Sequence, residues 1–86
     1  MFSRKVVAIT GAGSGIGRAL ALELAPLGAR LALSDINESA VAETVSLLPH
    51  GTEARAYPLD VSSREAVFAF AQDVQRDFGG VHFIVN

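Results

Sequence analysis

Thr10-Gly11-Ala12-Gly13-Ser14-Gly15-Ile16-Gly17 is the stretch on which the reading of this chain turns. A short apolar, partly β-branched run, Val6 to Thr10, leads into it, and an apolar stripe at Ile16, Leu20, Leu24 and Leu27 follows. The run has the character of a strand buried on both faces, and the stripe recurs every three or four residues as one face of a helix does. The octapeptide is therefore a strand-to-helix turn. Four of its residues are glycine, more than such a turn needs. A helix N-terminus presents unpaired N–H groups and the positive end of the helix dipole, and glycine lets an anion approach that backbone with no β-carbon in the way. The loop reads as a diphosphate site, the alternative being a turn whose glycines serve close packing alone.

Outward from the loop the same alternation continues. Gly28 ends the first helix, and Pro26, which has no N–H to donate, predicts a distorted or already finished last turn. Leu31 to Ser34 is the second strand, and Asn37 caps a helix with Val41, Val45 and Leu48 on one face, closed by Pro49 and Gly51. Ala54 to Leu59 is a weaker third strand, since Pro58 suits a strand end or an edge. Ser62 and Glu65 fit an S-x-x-E capping box for a third helix with the stripe Val67, Phe70, Ala71, Val74 and Phe78, ended by Gly79 and Gly80. Val81 to Val85 is a fourth strand.

This succession is the pattern of an α/β fold with a parallel sheet and right-handed crossovers. With the first strand central, the expected order is 3-2-1-4 with helices on both faces, the first part of a doubly wound sheet. The fourth strand would form an open edge, so residues 1–86 read as part of a larger domain.

Asp35 is the second signal. It ends the second strand, beside the glycine loop in this winding, where a carboxylate accepts hydrogen bonds from both ribose hydroxyls of an adenosine. Its alternative role is to cap the turn that follows. Asp60, ending the third strand, could meet an adenine edge or cap Ser62-Ser63. The strict G-x-G-x-x-G pattern fails, because Ile16 or Arg18 stands where its last glycine would be, and no Gly-Lys pair exists to form an ATPase-type phosphate loop.

Composition narrows the classes further. With nine acids against seven bases and a net charge of -2, the chain has no basic excess for nucleic acid or an anionic membrane. It has no cysteine, which excludes disulfide scaffolding, Cys-ligated zinc and thiol catalysis. The N-terminus lacks a signal-peptide apolar region and the longest apolar run is Ala66 to Ala71, against about 20 residues for a membrane span. The expectation is a soluble, cytoplasmic protein.

At this point the residues resemble the short-chain dehydrogenase/reductase family, whose Rossmann loop is T-G-x-x-x-G-x-G. Thr10, Gly11, Gly15 and Gly17 match it. The resemblance runs on through Asp35, through Asp60-Val61, and through Val85-Asn86, which looks like the opening of the family's N-N-A-G motif. It implies NAD as cofactor. Ser14, Gly15 and Ile16 would line its phosphates and ribose, Asp35 would hold the 2′- and 3′-hydroxyls with Ile36 next to it among the cofactor-binding residues, Asp60 and Val61 would contact adenine, and Asn86 would lie near the adenine-side ribose. No cation stands at Ser14 or Ile36, where NADP-preferring members usually carry one. His82 stands where the family usually has an acid, a departure that concerns packing more than chemistry.

The family's catalytic serine, Y-x-x-x-K pair and active-site asparagine all lie beyond the fourth strand. Tyr57, the only tyrosine, has no lysine four residues on and reads as a packing residue; His50 and His82 lack an orienting acid and nucleophile. The implied function is the NAD-binding portion of an oxidoreductase that passes hydride between nicotinamide and a small alcohol or carbonyl. These residues alone would be inactive. A non-catalytic dinucleotide sensor or scaffold is the alternative, while a methyltransferase would carry an acid where Ile9 stands. Phe68, beside the third stripe, is placed to pack in a longer chain or between copies in a homo-oligomer.

Overall fold

The computed structural model describes residues 2–86. Four parallel strands, β1 (Val6–Thr10), β2 (Arg30–Asp35), β3 (Ala54–Pro58) and β4 (Phe83–Val85), form one sheet in the order β3-β2-β1-β4. Three α-helices connect them: α1 (Gly15–Leu24), α2 (Glu38–Leu47) and α3 (Arg64–Phe78). The expected order is the observed one.

Alternation along the central strands builds two cores. Val7 and Ile9 of β1 join Leu31 and Leu33 of β2 beneath α1 and α2, with Ala21, Leu24 and Val41 from the helices. Val6, Ala8 and Ala32 face the other way, against Val74 and Phe78 of α3 and Tyr57 of β3. Successive side chains of a strand point to opposite faces, so both faces of β1 and β2 need apolar cover, and helices on both sides supply it. Tyr57 is a packing residue, as its sequence position implies, with its ring edge-to-face on Phe70 at 5.3 Å.

Several local expectations are corrected. Only the middle of the α1 stripe packs: Leu24 is buried and Leu20 lies against the core, with Ala21 and Ala25 beside them, while Ile16 is 86% exposed and Leu27 half exposed. The first turn of α1 lies against the backbone of the loop through Gly17, which leaves Ile16 turned to the rim. After Leu24 the chain tightens into a 3-10 turn over Ala25–Leu27 that contains Pro26, and Gly28 closes it. That distortion is the expected one.

At α3 the cap is Ser63 rather than Ser62. Ser63 Oγ accepts from the Ala66 amide at 3.1 Å, whereas the amide and hydroxyl of Ser62 both donate to Asp60 Oδ1. Ser62 is held in the preceding turn and the helix starts one residue later. Along the α3 stripe only Val74 and Phe78 are buried; Val67 and Ala71 are exposed because no element described here covers the first half of the helix. Phe68 is 67% exposed. Strands β2 and β3 are Arg30–Asp35 and Ala54–Pro58 rather than Leu31–Ser34 and Ala54–Leu59.

The fourth strand is shorter than the apolar run from Val81. His82 donates its amide to the Val6 carbonyl at 2.9 Å, but the Val6 amide donates to the His82 ring Nδ1, also at 2.9 Å. A side chain takes the place of the next rung of the ladder, so β4 begins only at Phe83.

Candidate functional site

The loop from Gly11 to Ser14 leaves the C-terminal end of β1 at the centre of the sheet and enters α1. The Gly13 amide donates to Asp35 Oδ2 at 2.8 Å and the Ala12 amide donates to the Ser34 carbonyl at 2.9 Å. The other Asp35 oxygen accepts from the Asn37 amide at 2.9 Å. Asp35 thus caps the turn after β2 and at the same time sits against the glycine loop. Each carboxylate oxygen has a further lone pair for a hydroxyl.

The other side of the loop is fixed by groups that sequence reading passed over. Arg18 Nη2 donates to the Gly13 carbonyl at 2.7 Å, to the Ala40 carbonyl at 3.0 Å and to Glu43 Oε1 at 2.9 Å, and its Nε donates to Thr44 Oγ1 at 2.9 Å. The buried Thr44 hydroxyl in turn donates to the Ala12 carbonyl at 2.7 Å. One guanidinium thus ties the loop to α2. The signal available in the sequence was an arginine one residue past the last loop glycine, off the apolar stripe, and a threonine on the inner face of α2.

Two glycines act for different reasons. A β-carbon on Gly17 would lie 2.2 Å from the Gly11 carbonyl oxygen, so this glycine permits helix and loop to touch. Gly15 has a φ of +56° and nothing within 4 Å of where its β-carbon would be. The space beside Gly15 is open for a ligand.

The N-terminus of α1 differs from those of α2 and α3. Asn37 and Ser63 cap their helices through side-chain oxygens, but the Ser14 hydroxyl makes no capping bond. Among the described residues the amides of Ser14, Gly15, Ile16 and Gly17 have no hydrogen-bond partner. Four donors converge at the positive end of a helix dipole, an arrangement suited to a pyrophosphate.

Beside the loop, Gly11, Asp35, Ile36, Asp60 and Val61 line a shallow hollow of about 180 Å³. Ile36 and Val61 are largely exposed at its rim, where a flat aromatic ring would remove them from water. Asp60 faces the hollow while Ser62, through its hydroxyl and then its amide, holds the Asp60 carboxyl below the usual carboxylate range. Asn86 lies on the other side of β1, accepting from the Thr10 hydroxyl at 3.2 Å through Oδ1. The structure thus brings Gly11, Ser14, Gly15, Ile16, Gly17, Asp35, Ile36, Asp60 and Val61 to one edge of the sheet, with Asn86 next to it. His50 lies at the opposite edge. No cluster of three His, Cys, Asp or Glu side chains able to hold a metal ion occurs among the described residues.

The family profile described as short chain dehydrogenase matches residues 5–86. This chain belongs to the short-chain dehydrogenase family. SadH, a Mycobacterium tuberculosis protein named as an oxidoreductase, is 51% identical over 86 residues, covering 99% of this chain and 31% of that protein. Epidermal retinol dehydrogenase 2 of Mus musculus is 46% identical over 84 residues, covering 95% of this chain and 27% of the mouse protein. A short-chain dehydrogenase/reductase from Burkholderia phymatum, solved in complex with NAD, superposes with a TM-score of 0.92 at 45% identity, over 96% of this chain and 30% of that one. The chain spans under a third of the length of these three proteins.

Proposed function

We propose that this chain is the NAD-binding portion of an oxidoreductase acting on a small alcohol or carbonyl compound. The observation that carries the reading is the uncapped N-terminus of α1, with its four free amides, standing beside a carboxylate, Asp35, that is bonded to the same loop. The residues present fit the cofactor. The loop amides would hold the pyrophosphate, Asp35 the adenosine ribose, and the hollow between Asp35 and Asp60 the adenine. When bound, NAD supplies the acceptor or donor of hydride.

What this chain's residues do is bind and orient. Asp35 is kept in place by the Gly13 and Asn37 amides, so a ribose meets a carboxylate whose position is already set. Tyr57 takes no part in proton transfer, since its hydroxyl donates to Asp77 at 2.8 Å on the α3 side of the sheet. In this reading the acid or base of the reaction is supplied from outside residues 1–86, and these residues alone are inactive.

The same geometry favours NAD over NADP. A 2′-phosphate carries about -1.5 to -2 charge, and at an effective dielectric near 20 its repulsion from Asp35 is a few kcal/mol. Screening by solvent leaves about 2 to 3 kcal/mol, a discrimination of roughly 30- to 150-fold. Arg18 does not offset it, being engaged with Gly13, Ala40, Glu43 and Thr44. The test is calorimetric titration of this chain with NAD, ADP-ribose and NADP. NAD and ADP-ribose are expected to bind alike and NADP more weakly; tighter binding of NADP than NAD overturns the assignment of Asp35.

A further inference from the structure

We propose a second anion site at the opposite edge of the sheet, for a small phosphate-type oxyanion. Parallel strands gather their N-terminal ends at one edge, and here that edge carries a hollow of about 310 Å³ lined by Arg4, Gly28, Arg30, His50, Thr52 and Glu53 among others. It is separate from the glycine loop, which lies at the C-terminal ends of the same strands.

Charge is the first observation. The chain as a whole is at -2, yet Arg4 and Arg30 line this hollow against one acid, Glu53. That acid is already engaged, because Arg30 Nη2 donates to Glu53 Oε2 at 2.8 Å. Arg4 and Arg55 act on Glu53 more weakly, through their charge alone. The excess cation has no protein partner: Arg4 and His50 make no side-chain hydrogen bond among the described residues, and Arg30 spends one donor on Glu53.

Geometry is the second. Arg30 is locked in place by Glu53 and by its guanidinium lying over the Phe78 ring at 5.5 Å, and its Nε is buried without a partner. Arg4 has a φ of +61°, the one left-handed non-glycine residue described, and its amide is fixed by the Gly28 carbonyl at 2.9 Å. Such a conformation in a side chain-bearing residue persists only where the surroundings impose it, so the backbone of Arg4 is held in one place. His50, in the turn closed by Gly51, adds a ring N–H donor at the rim. A planar guanidinium held rigid, a second one beside it and a ring donor match the oxygens of a phosphate better than they match chloride.

The site is tested by titrating the labelled chain with inorganic phosphate and separately with glycerol phosphate at low salt, reading amide shifts at Arg4, Gly28 and Thr52. Both probes should give saturable shifts there, unchanged when NAD is present in excess. Tighter binding of glycerol phosphate assigns the natural ligand to a phosphate ester, and tighter inorganic phosphate to the free ion. Arg4→Gln, at an exposed position, should weaken binding by up to about fivefold with the fold intact. Arg30→Gln should weaken it more, and should be read only alongside Arg4→Gln because Arg30 also packs on Phe78. Shifts that do not saturate, that map to Gly13 and Ser14 instead, or that Arg4→Gln leaves unchanged overturn the proposal.

Discussion

Arg18 donates to the Gly13 carbonyl at 2.7 Å while the Gly13 amide donates to Asp35, so one residue of the glycine loop is gripped through both of its backbone polar groups. The grip is relayed to α2 through Ala40, Glu43 and Thr44. Loop shape thereby depends on a residue that need not touch a ligand.

Arg18→Ala removes four hydrogen bonds at once. With the guanidinium only partly exposed, a stability loss of about 1.5 to 3 kcal/mol is expected in urea unfolding. Hydrogen exchange should also quicken at Gly13 and Ser14 before global unfolding. Arg18→Lys keeps the charge but cannot span four acceptors, and it should recover only part of either effect. Exchange rates at the loop that stay at their original values in Arg18→Ala would count against the clamp.

Gly15 and Gly17 should separate binding from folding. Gly17→Ala puts a methyl 2.2 Å from the Gly11 carbonyl oxygen and is expected to cost about 3 kcal/mol or more. Gly15→Ala meets nothing within 4 Å, so it should cost only the about 1 to 2 kcal/mol of a left-handed side chain. It should nonetheless abolish NAD binding by blocking the open space. A folded Gly15→Ala that binds NAD as before would remove the loop from the site.

Tyr57 provides a spectroscopic probe, because it is the only tyrosine and there is no tryptophan. Burial first, and then its bond to Asp77, push its hydroxyl far above the ordinary tyrosine value. A raised folded value means that this contribution to stability is complete below about pH 10 and is lost as pH rises further. Absorbance at 295 nm should therefore show ionisation only as the chain unfolds in alkali, and Asp77→Asn should bring the midpoint down. Asp77 behaves in the opposite sense. Arg76 and then Tyr57 hold its carboxyl low, so what it contributes is present above the usual carboxylate range and lost as acid protonates it. A Tyr57 midpoint near 10 in the folded chain would refute the bond.

His82 accepts from the Val6 amide through Nδ1, which places the ring proton on Nε2. His82→Ala leaves a buried strand amide without a partner, at a cost of about 1 to 3 kcal/mol. His82→Asn presents an oxygen in a similar position and should be close to neutral. The comparison is made by thermal unfolding of the two variants, and equal losses in both would show that the acceptor does not matter.

The order of the elements, and the meeting of the glycine loop with Asp35, were legible along the chain. Apolar runs too short and too uniform for surface strands, separated by helical stripes, admit little besides a parallel sheet with helices on both faces, and in that winding the loop after β1 and Asp35 after β2 must meet. Those signals are local: a period, a cap, a glycine run. Tertiary structure decided what depends on contacts between distant segments. Ile16 fits a helical stripe, yet it is exposed because Gly17 brings that turn against the loop backbone. Ser62 fits a capping box, yet Asp60 takes its amide and hydroxyl, and Ser63 caps instead. Arg18 reads as a solvent-facing charge until α2 is packed beside α1 and offers it Ala40, Glu43 and Thr44. A hydrogen-bonding group's partner is chosen by where the backbone brings its competitors, and no pattern along one segment contains that information.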